Sequence, residues 1–205
     1  MTQRALIGCL LACLASQPVA WSGAAAALPG DSVYQLPASL TDSAGRAVRW
    51  QDLQGQPRVA TMFYASCRYI CPMVVDSLRA VERELSEKER QRIAFVLISM
   101  DPARDTPEAL ARVMTARRLQ PGRWLLLQPR PEDLRGLAGM LGIRYRGLAD
   151  GEFNHTTTLV LLDAAGRPLA RTDRLGGEGD AEFLAAVRAA IAAGAEPVSD
   201  SASGH

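Results

Sequence analysis

Apolar positions along this chain fall into two periods. Over 59–64 and 93–100 they run unbroken, the pattern of short strands buried on both faces. Between those runs, Val74, Leu78, Val81 and Leu85 recur at spacings of four, three and four, which is one face of a helix. Two such strands joined by a helix predict a parallel pair with a crossover. The charged run 86–90 reads as the solvated end of that helix. Asp105 or Thr106 can cap a helix whose first residue is Pro107, with Ala109, Leu110, Val113 and Met114 inward. On this reading Arg104, Asp105 and Glu108 are capping and loop-bracing residues. A strand is expected over 124–127. A helix over 131–141 follows, with Leu134, Leu137, Ala138 and Leu141 inward and Gly142 as its stop.

The remaining pattern completes an order. Residues 143–145 read as a short strand, 149–154 as a polar loop and 156–162 as a β-branched and leucine-rich strand. Asp163-Ala164-Ala165-Gly166 is a hairpin turn, 168–172 its returning strand, and 176–179 a flexible glycine loop. A last helix over 180–193 turns Phe183, Leu184, Val187 and Ile191 inward. At the front, 33–36 reads as a short strand, 41–46 as a turn and 47–50 as the returning strand of an N-terminal hairpin. The predicted class is α/β: a β-α-β unit followed by β-β-α, the thioredoxin-like arrangement, with a central mixed sheet flanked by helices.

Composition narrows the function classes. The chain has 205 residues and a net charge of +1, which makes no electrostatic case for nucleic acid or for an acidic partner. Four cysteines are too few for a disulfide scaffold. The first 27 residues read as a secretory signal. Arg4 supplies the positive start, residues 5–15 a short apolar stretch, and Ala20 and 24–27 the small residues of a cleavage region. The apolar stretch is shorter than the roughly 20 residues a membrane-spanning helix needs. Export to a bacterial periplasm follows. Leu10-Leu11-Ala12-Cys13 also reads as a lipoprotein signal, a lesser alternative in which Cys13 would carry the membrane anchor. The expected domain is 28–193, and the small, polar residues 194–205, with His205, are expected to form a disordered tail.

Cys9 and Cys13 then belong to targeting, and the exported domain keeps one pair. In Phe63-Tyr64-Ala65-Ser66-Cys67-Arg68-Tyr69-Ile70-Cys71-Pro72 that pair lies in the turn between the first buried strand and its helix. A helix N-terminus stabilises thiolate, and a loop leaves sulfur accessible. Four residues apart, the sulfurs can share one face of the first helical turn, close enough for one metal ion or one disulfide. The expected domain has a single histidine, His155, directly before the 156–162 strand. In a thioredoxin-like fold the residue entering that strand lies across from the cysteine turn. Two thiolates and an imidazole suit Cu(I), can accept Cu(II), and can take Zn²⁺. Met73 and Met100 are soft atoms near by that read first as core filler.

These segments resemble the Sco/SenC family of copper chaperones over residues 30–193. The cysteine turn is similar to the family's metal-binding turn. Val96-Leu97-Ile98-Ser99-Met100-Asp101-Pro102-Ala103-Arg104-Asp105-Thr106-Pro107-Glu108 is similar to its second signature, and Phe153-Asn154-His155-Thr156 to its distant histidine. The resemblance implies a thioredoxin-like fold with an inserted hairpin, and copper held by Cys67, Cys71 and His155. It implies a partner in the copper-bearing subunit of cytochrome c oxidase, or another periplasmic copper or thiol protein. In place of the family's usual proline and acidic residue after the first cysteine stand Arg68 and Tyr69. Arg68 favours thiolate at Cys67.

Two chemistries compete on these residues. A metallochaperone binds copper through the three side chains and passes it on by ligand exchange, without turning over a substrate. A thiol–disulfide oxidoreductase uses Cys67 as attacking thiolate and Cys71 as resolving thiol, with His155 tuning the rate. The Cys-x₃-Cys spacing, one longer than the redox Cys-x₂-Cys, favours metal. Peroxide reduction at Cys67 is the weakest reading, because it leaves His155 without a role.

Overall fold

The computed structural model describes residues 27–67, 70–176 and 180–194. The signal segment with Cys9 and Cys13, residues 68 and 69, most of the glycine loop and the tail with His205 lie outside the described residues.

In chain order the strands are β1 (Ser39–Asp42), β2 (Ala47–Arg49), β3 (Arg58–Phe63), β4 (Ala94–Ser99), β5 (Trp124–Pro129), β6 (Tyr145–Gly147), β7 (Phe153–His155), β8 (Leu159–Leu162) and β9 (Pro168–Thr172). The helices are α1 (Ile70–Glu84), α2 (Glu87–Arg90), α3 (Pro107–Ala116), α4 (Pro131–Met140) and α5 (Ala181–Ala193). Seven strands form one sheet in the order β2-β1-β5-β4-β3-β8-β9. β3 pairs in parallel with β4 and antiparallel with β8, so the sheet is mixed and β3 is interior. Every residue of β3 and β4 is buried, as the unbroken apolar runs required. The four periodic residues after the cysteines, Val74, Leu78, Val81 and Leu85, are all buried. The fold is the thioredoxin-like α/β arrangement expected from the order of elements.

Four local expectations change, each because another set of hydrogen bonds wins. Val33–Gln35 is a 3₁₀ turn, not a strand. Ser32 caps it, the Val33 amide donates to the Gly166 carbonyl, and the Tyr34 hydroxyl donates to the Leu53 carbonyl, so the segment is satisfied without a ladder. The first strand of the hairpin is β1 instead, closed by Asp42, whose carboxylate accepts from the Ala44 and Arg46 amides at 2.9 Å each. The charged run forms its own short helix, α2. The Ser86 hydroxyl accepts from the Glu89 amide and the Glu89 carboxylate accepts from the Ser86 amide, a reciprocal cap.

The fourth change matters for function. The main-sheet strand starts at Leu159, not Thr156. Residues 153–155, expected in a polar loop and at its exit, form β7 and pair with β6 in a separate two-stranded ladder, Tyr145 opposite His155 and Gly147 opposite Phe153. The Thr156 amide donates to the Arg144 carbonyl at 2.9 Å and the Arg144 amide to the Thr156 hydroxyl at 3.1 Å, which extends that ladder by one step. This is the inserted hairpin. It carries the histidine out of the main sheet and onto an element of its own.

Candidate metal and thiol site

β3 ends at Phe63 and delivers Tyr64 into a tight turn, in which the Cys67 amide donates to the Tyr64 carbonyl at 3.2 Å. α1 starts at Ile70, so Cys71 sits inside its first turn rather than ahead of it. That placement ties the sulfurs together. The Cys71 amide, one of the orphan donors of the helix end, points at Cys67 Sγ at 3.3 Å, and the Tyr64 amide points at Cys71 Sγ at 3.4 Å. N–H donors aimed at sulfur favour the thiolate. Cys67 is half-buried at the cleft and Cys71 is buried. Burial pushes the Cys71 thiol well above its ordinary range, the neighbouring Cys67 and Asp105 act in the same direction, and the Tyr64 amide only partly opposes them. Cys71 therefore carries its proton at neutral pH.

The second signature holds this turn from behind. Thr106, not Asp105, caps α3, its hydroxyl accepting from the Ala109 amide. Asp105 is buried, with its two carboxylate oxygens 3.1 and 3.0 Å from the Ala65 amide and one of them 2.6 Å from the Ser99 hydroxyl that donates to it. One carboxylate thus joins the cysteine turn, the end of β4 and the start of α3. Arg104 braces across the site, donating to Asp101 and to the Gly151 carbonyl of the inserted hairpin. The type of residue at 105 marks a cap or a brace in sequence, but only the register Phe63↔Ser99 puts the β4 end level with the cysteine turn.

Tyr64 joins the two halves of the site, a role the sequence did not mark. Its hydroxyl donates to Glu152 at 2.6 Å, and its ring lies 5.1 Å from that of Phe153 and 6.1 Å, edge-on, from His155. Burial, the Glu152 carboxylate and the adjacent Cys67 all hold the phenol protonated. His155 is part-buried, with Nδ1 3.1 Å from the Thr156 carbonyl. A carbonyl can only accept, so Nδ1 carries the proton and Nε2 the lone pair. Burial lowers its pKa, which keeps the ring neutral at neutral pH. Cys67 and Cys71 share one cleft with Tyr64, Pro72, Val113 and Arg117, whereas His155 meets the Tyr64 ring and is not among the residues lining that cleft. Among the described residues no three His, Cys, Asp or Glu side chains are gathered into a single metal-holding group. Met100 is buried core and Met73 is 45 % exposed on α1.

Residues 28–192 match the SCO1/SenC family model. The chain belongs to the SCO1/SenC family. It is similar to the mitochondrial protein SCO2 of Saccharomyces cerevisiae, 34 % identical over 79 residues that make up 38 % of this chain and 26 % of the yeast protein. The aligned stretch is thus about a quarter of that relative's length. Its fold is similar to that of the copper-bound ScoI of Bradyrhizobium japonicum, with a TM-score of 0.59, 24 % identity, and coverage of 75 % of this chain and 96 % of that one. BsSco, described with a disulfide switch as a member of the Sco family of cytochrome c oxidase assembly proteins, superposes with a TM-score of 0.63 at 19 % identity, covering 76 % of this chain and 92 % of that one. The cysteine turn, the Asp105 brace and the His155 hairpin all fall within the residues that the family model spans.

Proposed function

We propose that this SCO1/SenC protein is an exported copper metallochaperone whose cargo is held by Cys67, Cys71 and His155. Export rests on the signal-like first 27 residues, with 28–193 as the working domain. The observation that carries the reading is the convergence of both sulfurs at the N-terminus of α1, linked by the Cys71 amide on Cys67 Sγ at 3.3 Å. Soft sulfur donors select Cu(I) over the harder ions that share the compartment. The third donor is available because Thr156 holds the histidine in the tautomer that leaves Nε2 as a base. Three donors leave copper open to an incoming ligand, so it can be handed on by exchange, one bond forming as another breaks. The copper-bearing subunit of cytochrome c oxidase, or another exported copper or thiol protein, is the proposed recipient. Copper-bound ScoI, and a family member described as an oxidase-assembly protein, support the assignment.

His155 meets the Tyr64 ring edge-on, and Tyr64 also lines the cleft that holds both sulfurs, so this tyrosine is the contact through which the third donor adjoins the thiol pair. The deciding experiment is Cu(I) competition against a chelator, wild type beside His155→Ala, both reduced. Tight binding of one copper by wild type, with roughly a hundredfold loss in the variant, is expected, since even outer-shell partners are worth 10–100-fold. Weak and equal binding by both would remove the three-donor site.

The thiol carries a second consequence. Copper can bond to Cys71 only after its proton leaves, and that proton is held tightly. While pH stays below the Cys71 pKa, apparent Cu(I) affinity should therefore rise about tenfold per pH unit from this group alone. Chelator competition in steps across pH 6 to 8 checks this, and a flat profile would mean that the Cys71 proton is not displaced.

One observation favours a redox reading beside this one. Cys67 is the more accessible sulfur and receives an N–H bond from the helix, while Cys71 is buried and protonated. That asymmetry suits an attacking and a resolving thiol. In that case Cys67 is indispensable for thiol reduction and His155→Ala alters only the rate.

A further inference from the structure

A net charge of +1 hides a local imbalance. Between α4 and β6 lies a cleft of about 440 Å³ that holds Arg135, Arg144, Arg146 and Tyr145, with Ala138 and Gly139 from the helix. All three arginines are exposed, and none meets a carboxylate among the described residues. Some arginines of this chain are neutralised locally, Arg46, Arg49, Arg104 and Arg167 each pairing with an aspartate three or four residues away; what sets these three apart is that they gather around one cleft. Three unpaired guanidinium groups around one cleft repel one another, a cost that a negatively charged occupant would relieve.

We propose that this cleft docks an acidic segment of the protein that receives the copper. The inference rests on the metallochaperone reading for the partner's identity, and on the arginines alone for its chemistry. Guanidinium groups bind carboxylates through paired N–H bonds, which gives such a segment register as well as attraction. A small-residue wall, in which nothing lies within 4 Å of where a Gly139 Cβ would be, lets an extended backbone approach the helix. The concave shape suits a peptide better than a flat anionic bilayer. Position connects the cleft to the cargo. Tyr145 pairs directly with His155, and Arg146 with Asn154, so a segment seated on β6 is one strand from the imidazole. Docking there brings the recipient alongside the histidine, on the element that carries the proposed third donor.

The test uses the full chain and a fluorescein-labelled decaglutamate peptide, followed by anisotropy at about 20 mM and about 300 mM salt, where screening differs several-fold. The variant is Arg144→Glu with Arg146→Glu. The control, Arg83→Glu with Arg118→Glu, makes the same change in net charge at two exposed arginines elsewhere. Wild type and control should bind the peptide alike at low salt, and the cleft variant should bind at least about tenfold more weakly. Absence of binding at low salt, or equal loss in variant and control, would overturn the proposal. So would cleft-dependent capture of phosphatidylserine vesicles without peptide binding, which would make the arginines a membrane contact. Cu(I) affinity is measured on the same proteins. A wild type that binds peptide but not copper sinks the metallochaperone reading and leaves the cleft, and the reverse result does the opposite.

Discussion

Cys71→Ser is expected to leave the fold standing while Cu(I) affinity falls on the order of a thousandfold or more, beyond the 10–100-fold that an outer-shell partner is worth. The fold should survive because serine can keep the bond that the Tyr64 amide gives this side chain, accepting as sulfur does at 3.4 Å. Affinity should collapse because a hydroxyl is a hard donor that does not ionise at neutral pH. Cys67→Ser should do the same, with the serine oxygen accepting from the Cys71 amide. Circular dichroism verifies the fold and chelator competition reads the copper. If either variant holds Cu(I) within about tenfold of wild type, that sulfur is not a ligand. Thiol-reductase assays on the same pair separate the redox reading, in which Cys67→Ser abolishes turnover and His155→Ala only slows it.

Asp105→Ala should destabilise the protein by about 3 kcal/mol, because it strands the Ala65 amide and the Ser99 hydroxyl without their acceptor in a buried place. Copper affinity should drop with it, since Ala65 belongs to the turn that sets Cys67 against the helix. Asp105→Asn separates geometry from charge. Its amide oxygen can accept from Ala65 and its NH₂ can donate to the Ser99 oxygen, so it should stay within about 1 kcal/mol of wild type at neutral pH. Burial raises the Asp105 pKa in the folded chain above its unfolded value. Between those two values the folded state binds the extra proton, so wild-type stability should rise as pH falls through the folded pKa towards the unfolded one. The asparagine variant lacks this contribution. Urea unfolding of the three proteins from pH 7 down to 4 measures it, and an alanine variant as stable as wild type would show that the turn does not depend on the carboxylate.

The division between what could be read and what could not follows from the range of the forces involved. Strand and helix identity is a local matter. The buried runs at β3 and β4, the face formed by Val74, Leu78, Val81 and Leu85, and the cap-and-proline start of α3 stand in the structure as the pattern predicts. Local pattern also placed the cysteine pair at a strand-to-helix turn. It failed where long-range hydrogen bonds choose the backbone. Val33–Gln35 has a strand's composition, but Gly166 and Leu53, which take up its amide and the Tyr34 hydroxyl, are distant in sequence.

By itself, then, the sequence determined the fold class, the thiol pair and the identity of the candidate third donor, because periodicity and residue chemistry are properties of neighbours along the chain. Only the tertiary structure decided how these are arranged. It put Asp105 under the turn instead of at the helix cap. It made Tyr64 the contact between the thiol cleft and the histidine, and moved His155 from a loop at the entry of a sheet strand to a small hairpin of its own. It also drew Arg135, Arg144 and Arg146 to one cleft in a chain of almost no net charge. Each of these depends on which distant segments the packed sheet brings side by side, and on the need of every buried donor and acceptor for a partner.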